Sequence, residues 1–161
     1  MPNSICLPEV FKIVEALTPA TDAAGRTGDY VSLAKYHMAY VVFHCDQGNA
    51  ATIAVTIEQA TAVAGTGSKV ITVAVPIWAN QDLAAADAFA RQTDAVNFTT
   101  SAAVKRKMVV FQIDPSTLDV AGGFDCITVK TGASNVANLT CAQYYLLSRY
   151  PQAVPPAAIT D

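Results

Sequence analysis

The stretch ATIAVTIEQ, residues 51–59, alternates apolar and polar side chains with a period of two. Ile53, Val55 and Ile57 share one face of an extended chain, and the threonines and the glutamate take the other. Most of these residues are β-branched, which favours a half-buried strand. Residues 69–75 repeat the alternation, and the glycine-punctuated stretch 64–68 between the two runs suits a tight connection. The sequence therefore predicts a β-hairpin here.

Further strands are predicted where apolar runs stop at turn-forming residues. They cover residues 37–45, 107–113, 124–130 and 139–147, with a short edge strand at 30–33. Alternation within 139–147 puts Leu139, Cys141, Tyr145 and Leu147 on one face. Seven or so short strands separated by turns are typical of a sandwich or barrel. We therefore expect a mainly β protein, a single-domain antiparallel β-sandwich or barrel-like (jelly-roll-like) fold over residues 21–150.

Three segments do not follow the period-two pattern. Residues 10–17 fit both a helix and a strand, so residues 1–20 are predicted as an N-terminal arm or short element. Residues 76–100 have no sustained period and are predicted as a long loop, with a helical turn near 83–91 as an option. Residues 151–161 contain three prolines and are predicted as an extended C-terminal arm, because proline cannot join a central sheet. Arms of this kind often lie on a neighbouring subunit.

The composition points to assembly. The chain has 161 residues, enough for one domain, and only 14% of them are charged. An ordinary soluble domain has about 25% charged residues, so part of this surface is expected to be covered by copies of the chain or by partners. A homo-oligomer, dimer or trimer, is the corresponding expectation.

The charge pattern argues against nucleic acid and membranes as partners. The net charge is −3, and the only basic cluster, residues 105–107, is interpreted as a solvated turn before a strand. No apolar run approaches the ~18 residues of a membrane span. The first residues also lack the basic and apolar regions of a signal peptide, so use without secretion is expected.

Motifs for catalysis, cofactors and metals are not found in the sequence. Cysteines 6, 45, 126 and 141 form no metal-finger spacing and are predicted to be buried reduced thiols, with a Cys126–Cys141 disulfide as the alternative. His44 and Cys45 are consecutive strand residues, which point to opposite faces and cannot act on each other. The loop aspartates 82, 87 and 94 match no calcium loop. We therefore expect no catalytic residue, no cofactor and no metal, and a protein that is not an enzyme.

Aromatic residues and prolines are the candidate contact residues. Trp78 leaves a strand through Pro76 and either caps the core or anchors an interface, where tryptophan and tyrosine are enriched. Tyr144 and Tyr145 must point to opposite faces, so one can pack inside while the other meets a partner. The candidate interface residues are Trp78, Tyr144, Tyr150, Pro155 and Pro156.

Several segments, in order along the chain, carry a family resemblance. They are VFKIVEALTP (10–19), AYVVF (39–43) with AVTIEQA (54–60), VVFQID (109–114) with LDV (118–120), GF (123–124) and ITV (127–129), and AQY (142–144) through RY (149–150). Together they resemble small head-associated structural proteins of tailed phages, the decoration or cement proteins.

The resemblance implies a protein bound to the outside of the capsid, with the major capsid protein as its partner. It would be located at the capsid surface of the virion and assembled in the cytoplasm of the bacterial host. Two alternatives stay open at this point. One is a low-copy head-completion, tail or fibre-base component, and the other is a β-sandwich module that binds a glycan or receptor.

Overall fold

The computed structural model describes residues 6–150 and 152–160, and it contains two packed antiparallel sheets. A single helical turn, α1, precedes the first strand, and two 3-10 turns, η1 and η2, follow the tenth. In chain order the elements are α1 Leu7–Val10, β1 Phe11–Thr21, β2 Arg26–Thr27, β3 Val31–Ser32, β4 Tyr36–Gln47, β5 Ala54–Ala60, β6 Lys69–Val70, β7 Ile77–Asn80, β8 Ala90–Arg91, β9 Asn97–Thr99, β10 Arg106–Ile113, η1 Pro115–Thr117, η2 Val120–Gly122, β11 Cys126–Thr131 and β12 Asn138–Ser148. The prediction of a mainly β, sandwich-like fold is confirmed.

The two sheets enclose one hydrophobic core. Sheet A has the strand order β1-β12-β4-β10-β7-β8, and sheet B has the order β2-β11-β5-β6, with β3 also paired to β11 and β9 to β5. The two sheets are separate and do not close into a barrel. Their facing side chains are fully buried, among them Val41, Phe43 and Phe111 from sheet A and Ile57, Ile127 and Val129 from sheet B.

The predicted hairpin over residues 51–75 is present, but its second strand is short. β5 pairs with β6 through Glu58–Val70 and Gln59–Lys69. Beyond Val70 the alternation is not followed, and Val73 is 45% exposed. The chain leaves sheet B at this point and joins sheet A at β7, so these residues cross between the sheets instead of extending one of them.

The N-terminal segment is part of sheet A. Residues 10–17, which fit both a helix and a strand, form the last residue of α1 and most of β1. β1 pairs with β12 from Phe11–Leu147 to Thr21–Leu139, with irregular register on either side of Leu17. This edge position means that residues 11–20 are fixed in the sheet and do not form a detached arm.

Residues 76–100 contain three short strands within the predicted loop. β7 pairs with β10, β8 pairs with β7, and β9 pairs with β5, so this segment contributes to both sheets. Near residues 83–91 the chain makes a turn in which Ala85 and Ala86 donate to the carbonyl oxygen of Asp82. Strands of two to four residues are too short to give a recognisable period.

The C-terminal segment, residues 152–160, has no regular secondary structure and packs on its own domain. The Ser32 amide donates to the carbonyl oxygen of Ala158 at 2.7 Å, and the Tyr36 hydroxyl donates to that of Pro156. Ala158 is fully buried in the core. In this chain the segment therefore covers the end of its own sandwich. None of the helices in the described ranges is long and apolar enough to span a membrane.

Candidate functional site: the outer face of sheet A

The outer face of sheet A is apolar across five strands. In β4, Val41 and Phe43 point into the core, whereas Tyr40 and Val42 point outward and are half-buried. The strand register extends this outward row over β1, β12, β10 and β7. We call this surface the apolar patch, and it comprises Phe11, Ile13, Met38, Tyr40, Val42, Trp78, Met108, Val110, Cys141, Tyr145 and Leu147. The outward polar side chains of His44, Gln112 and Gln143 lie among these residues, with Gln143 directly opposite Val42.

A shallow depression of about 340 Å³ lies in the middle of the apolar patch. Val42 and Val110, which are direct cross-strand neighbours, line it together with the rings of Phe11, Tyr40 and Tyr145. The Phe11 and Tyr40 rings meet edge to face, with centroids 6.2 Å apart. The depression can accept one bulky apolar side chain from another molecule, which is the shape of an interface anchor site.

Charged side chains lie only at the margin of the apolar patch. Glu15 follows Ile13 along β1, the cross-strand pair Asp46–Arg106 lies beyond Met108, and Arg91 lies on the edge strand β8. An apolar centre with a polar rim is the anatomy of a protein–protein interface.

The outer face of sheet B is polar by contrast. Glu58 and Lys130 form an ion pair at 2.6 Å, and the Ser68 hydroxyl donates to the same carboxylate oxygen of Glu58. Burial alone would raise the pKa of Glu58, but the hydrogen bonds from Lys130 and Ser68 outweigh it and the pKa lies below its ordinary value. The charges of this pair are therefore satisfied within the chain.

Trp78 lies at the margin of the apolar patch. Its neighbours Ile77 and Ala79 are buried, while its own half-buried side chain points outward beside Val110. The Arg91 guanidinium lies 4.8 Å from the centre of the indole ring. Trp78 therefore does not cap the core, and its position on the outer face agrees with the interface interpretation.

Tyr144 is not an exposed contact residue. Its side chain is fully buried, and its hydroxyl donates to the carbonyl oxygen of Asp29 at 2.9 Å and accepts from the Val129 amide at 3.1 Å. Burial raises the pKa of this phenol. The two tyrosines lie on opposite faces, as predicted, but Tyr144, the candidate interface residue, is the one that packs inside, and Tyr145 takes the outward position.

The other candidate contact residues lie away from the apolar patch. Tyr150 is 78% exposed and follows the end of β12. Pro155 is buried and Pro156 half-buried, because the C-terminal segment packs against its own domain. Only Trp78 among the five candidates belongs to the patch.

The sequence contains the signal for the apolar patch. Residues 37–45 are apolar at almost every position, which is typical of a strand covered on both faces. Leu139, Cys141, Tyr145 and Leu147 do share a face, but it is the outer one, and the core takes Ala142, Tyr144 and Leu146.

No disulfide joins the cysteines of the described part of the chain, so the Cys126–Cys141 disulfide alternative is wrong, and the prediction of a buried thiol fails for Cys6, which is exposed. Cys126 lies in sheet B and Cys141 in sheet A. Cys45 is buried, and burial raises the pKa of its thiol to about 11. Cys141 lies opposite His44 across β12 and β4, a pairing that the sequence does not reveal. Burial also raises the pKa of the Cys141 thiol, which disfavours the reactive thiolate.

The interpretation of residues 105–107 as a solvated turn is wrong for Lys107. Its side chain is fully buried, and the ammonium donates to Gln47 Oε1 at 2.8 Å and to the carbonyl oxygen of Ser101 at 2.6 Å. Burial lowers its pKa. The strand parity of β10, in which Lys107 faces inward opposite Cys45, explains why this residue is not a solvated turn residue.

Groupings of metal-binding side chains were sought across residues 6–150 and 152–160. No cluster of three or more histidine, cysteine, aspartate or glutamate side chains able to hold a metal ion occurs there. Two of the three aspartates in the 76–100 segment form ion pairs, Asp82 with Lys105 and Asp94 with Arg91.

Solved structures with related strand arrangements include viral and sugar-binding proteins. The SPBc2 prophage-derived protein YomS has 9% sequence identity and a TM-score of 0.45, over 89% of this chain and 97% of that chain. A CBM4 structure has 10% identity and a TM-score of 0.32, over 85% and 70%. A protein from Bacteroides thetaiotaomicron described as a candidate sugar binding protein has 10% identity and a TM-score of 0.30, over 93% and 86%. No protein-family model and no curated protein matches the chain. At these identities and TM-scores, the similarities assign no function to it.

Proposed function

We propose that the protein is a structural component of a tailed-phage virion that binds the outside of the assembled capsid shell and stabilises it. The observation that carries the proposal is the apolar patch on a charge-poor chain. An exposed apolar surface with a polar rim is often a contact site for another protein. The partner, the major capsid protein, comes from the family resemblance of the sequence.

The size of the apolar patch favours a repeated partner over a single one. The patch crosses five strands about 4.8 Å apart but covers only one to seven residues along each, which gives an area of roughly 300 Å². A stable complex of two proteins usually buries about 800 Å² on each partner. The patch alone therefore supports only a weak dimer, whereas on a lattice each weak contact can be joined by others.

Binding to the assembled shell stabilises it by linkage. A ligand that binds the assembled lattice and not its dissociated subunits shifts the equilibrium toward assembly. Such a protein needs a rigid complementary surface and no reaction centre, and a sandwich with one apolar outer face supplies that.

The glycan-binding alternative is weakened at Trp78 and Tyr144. Arg91 already covers one face of the Trp78 ring, and Tyr144 is buried, so Tyr144 offers no ring face to a sugar and Trp78 offers only part of its surface. The low-copy alternative differs from the proposal in stoichiometry, which can be measured directly.

The first test counts copies in purified phage particles. Gel densitometry should find this protein in numbers comparable to the major capsid protein, and heads that lack it should release DNA at a lower temperature. A few copies per particle would support the head-completion or tail alternative, and particles without the protein would contradict the proposal.

The second test changes the floor of the depression. Heads that lack the protein are mixed with purified Val42→Arg or Val110→Arg protein, and bound copies are counted after sedimentation. We expect at least a tenfold loss of binding, because a buried unpaired charge is costly at an apolar contact. The matched control is Val104→Arg, since Val104 is 53% exposed outside the patch, and it should bind like the wild type.

A further inference from the structure

A second surface feature, the end cleft, opens at one end of the sandwich where β4 begins and β10 ends. Its volume is about 580 Å³, within the range of small-molecule sites. It shares no residue with the apolar patch. The cleft is lined by Leu33, Ala34, Tyr36, His37, Asp114, Pro115, Ser116, Val120, Phe124, Asp125 and Arg149.

One wall of the end cleft is apolar. Leu33 and Tyr36 are buried, Phe124 is half-buried, and Val120 is 62% exposed. The Lys69 ammonium lies 4.0 Å from the centre of the Phe124 ring and fixes the position of that side chain. This wall offers a fixed apolar surface to the nonpolar face of a ligand.

The polar groups of the end cleft are also held in place. Arg149 Nε donates to the carbonyl oxygen of Tyr36 at 3.1 Å, and the Asp114 carboxylate accepts from the Ser116 amide at 2.8 Å. The Asp125 carboxylate accepts from the Cys126 thiol at 3.3 Å. Each anchored side chain keeps further donor or acceptor capacity for a ligand, since a guanidinium has five N–H groups and a carboxylate two oxygens.

The charges of the end cleft suit a neutral ligand. The two carboxylates of Asp114 and Asp125 outnumber the single guanidinium of Arg149, so the cleft disfavours an anionic ligand. Hydrogen bonds from Ser116 lower the pKa of Asp114, so this carboxyl is an acceptor and not a general acid. Carboxylates that accept hydrogen bonds and a guanidinium that donates them can together bind hydroxyl groups, which both donate and accept.

The backbone around the end cleft makes hydrogen bonds within the chain, which argues against a peptide as the ligand. The Leu33 amide donates to Asp125, the Tyr36 amide to Leu33 and the Arg149 amide to Lys35. An extended peptide usually binds by adding a strand to an open edge, which these internal bonds do not provide.

We propose that the end cleft binds a neutral saccharide of about one or two rings, with its hydroxyl groups on Arg149, Asp114 and Asp125 and its nonpolar face against Phe124 and Val120. This site is independent of the apolar patch and therefore of the proposed shell contact. A virion protein with both would hold the shell on one surface and a sugar at another.

The test is a glycan microarray with the full chain, followed by calorimetric titration of the best neutral oligosaccharide. Wild-type protein should bind it, and Arg149→Lys and Asp125→Asn should each weaken binding about tenfold, as expected for loss of a charge-assisted hydrogen bond. Arg106→Lys is the control for the arginine, because Arg106 lies exposed at the opposite end of β10, and it should bind like the wild type. Circular dichroism verifies that each variant is folded.

Three results would overturn the saccharide site: no glycan bound by folded wild-type protein, binding of acidic glycans alone, or binding unchanged in both cleft variants. Head binding separates this proposal from the previous one. Arg149→Lys and Asp125→Asn should bind heads normally, whereas Val42→Arg should lose head binding and keep the sugar.

Discussion

At the residue scale, Tyr144 and Tyr145 show how strand parity divides adjacent identical side chains between core and surface. The Tyr144 hydroxyl joins sheet A to sheet B through the Val129 amide and reaches the Asp29 carbonyl oxygen on the connection between β2 and β3. The Tyr145 hydroxyl only donates to the exposed Gln143 side chain of its own strand. The same chemical group is therefore structural in one residue and peripheral in the next.

Replacing these hydroxyls one at a time should give unequal losses of stability. Tyr144→Phe should lower the free energy of unfolding by about 1–3 kcal/mol, because it leaves the buried Val129 amide without its acceptor. Tyr145→Phe, the matched control, should change it by less than about 0.5 kcal/mol. Urea unfolding followed by circular dichroism measures both, and equal losses would contradict the assignment of the two faces.

The sequence could predict that the two tyrosines face opposite ways, but not which one faces the core. A one-residue shift of parity exchanges the faces, and parity is readable only when one face is polar. Here Cys141, Tyr145 and Leu147 on the outer face are as apolar as Ala142 and Tyr144 on the inner face. Because both faces of the strand are apolar, the sequence pattern does not show which face forms the apolar patch. The burial of Lys107 was not predicted either, because lysine side chains are seldom buried.

At the scale of elements, most long strands were predictable and most short ones were not. The exceptions include β1, whose first residues fitted both a helix and a strand, and β3, which lies within the edge strand predicted at 30–33. β4, β5, β10, β11 and β12 all lie within or close to predicted runs, because each has enough residues for a period to appear. β2, β3, β6 and β8 have two residues each, and their pairing depends on where longer strands already lie. The end cleft was not predicted either, because its lining residues are far apart in the sequence; His37 and Arg149 are 112 positions apart.

The pairing of β5 with β11 should make stability depend on acid pH through Glu58. The folded-state pKa of Glu58 is below its ordinary value of 4.5, so its contribution is present above that pH and is lost as the pH falls through the folded-state value. The wild type should exceed Glu58→Gln in unfolding free energy by about 1 kcal/mol or less at pH 7, given partial solvent screening of the pair. Urea titrations at pH 7 and pH 3 check this. A difference that grows toward acid pH would contradict the sign.

At the scale of the whole molecule, the two outer faces of the sandwich are unlike. Sheet B presents the ion pair of Glu58 and Lys130 to solvent, and sheet A presents an apolar patch with charges only at its margin. A domain with one polar and one apolar face has a preferred orientation on any partner. It would lie with sheet A on the shell and sheet B outward.

For the proposed contact through sheet A, this asymmetry predicts that head binding depends only weakly on salt concentration. Contacts made by charged groups at a surface weaken as added ions screen them, whereas apolar burial does not weaken with added salt. Raising sodium chloride from 0.05 to 0.5 M should therefore change the number of bound copies per head by less than about twofold, as measured by sedimentation and gel densitometry. Arg106→Ala, at the margin of the apolar patch, should bind within the same range at both salt concentrations. A tenfold loss at high salt would show instead that the charged margin, and not the apolar centre, holds the protein on its partner.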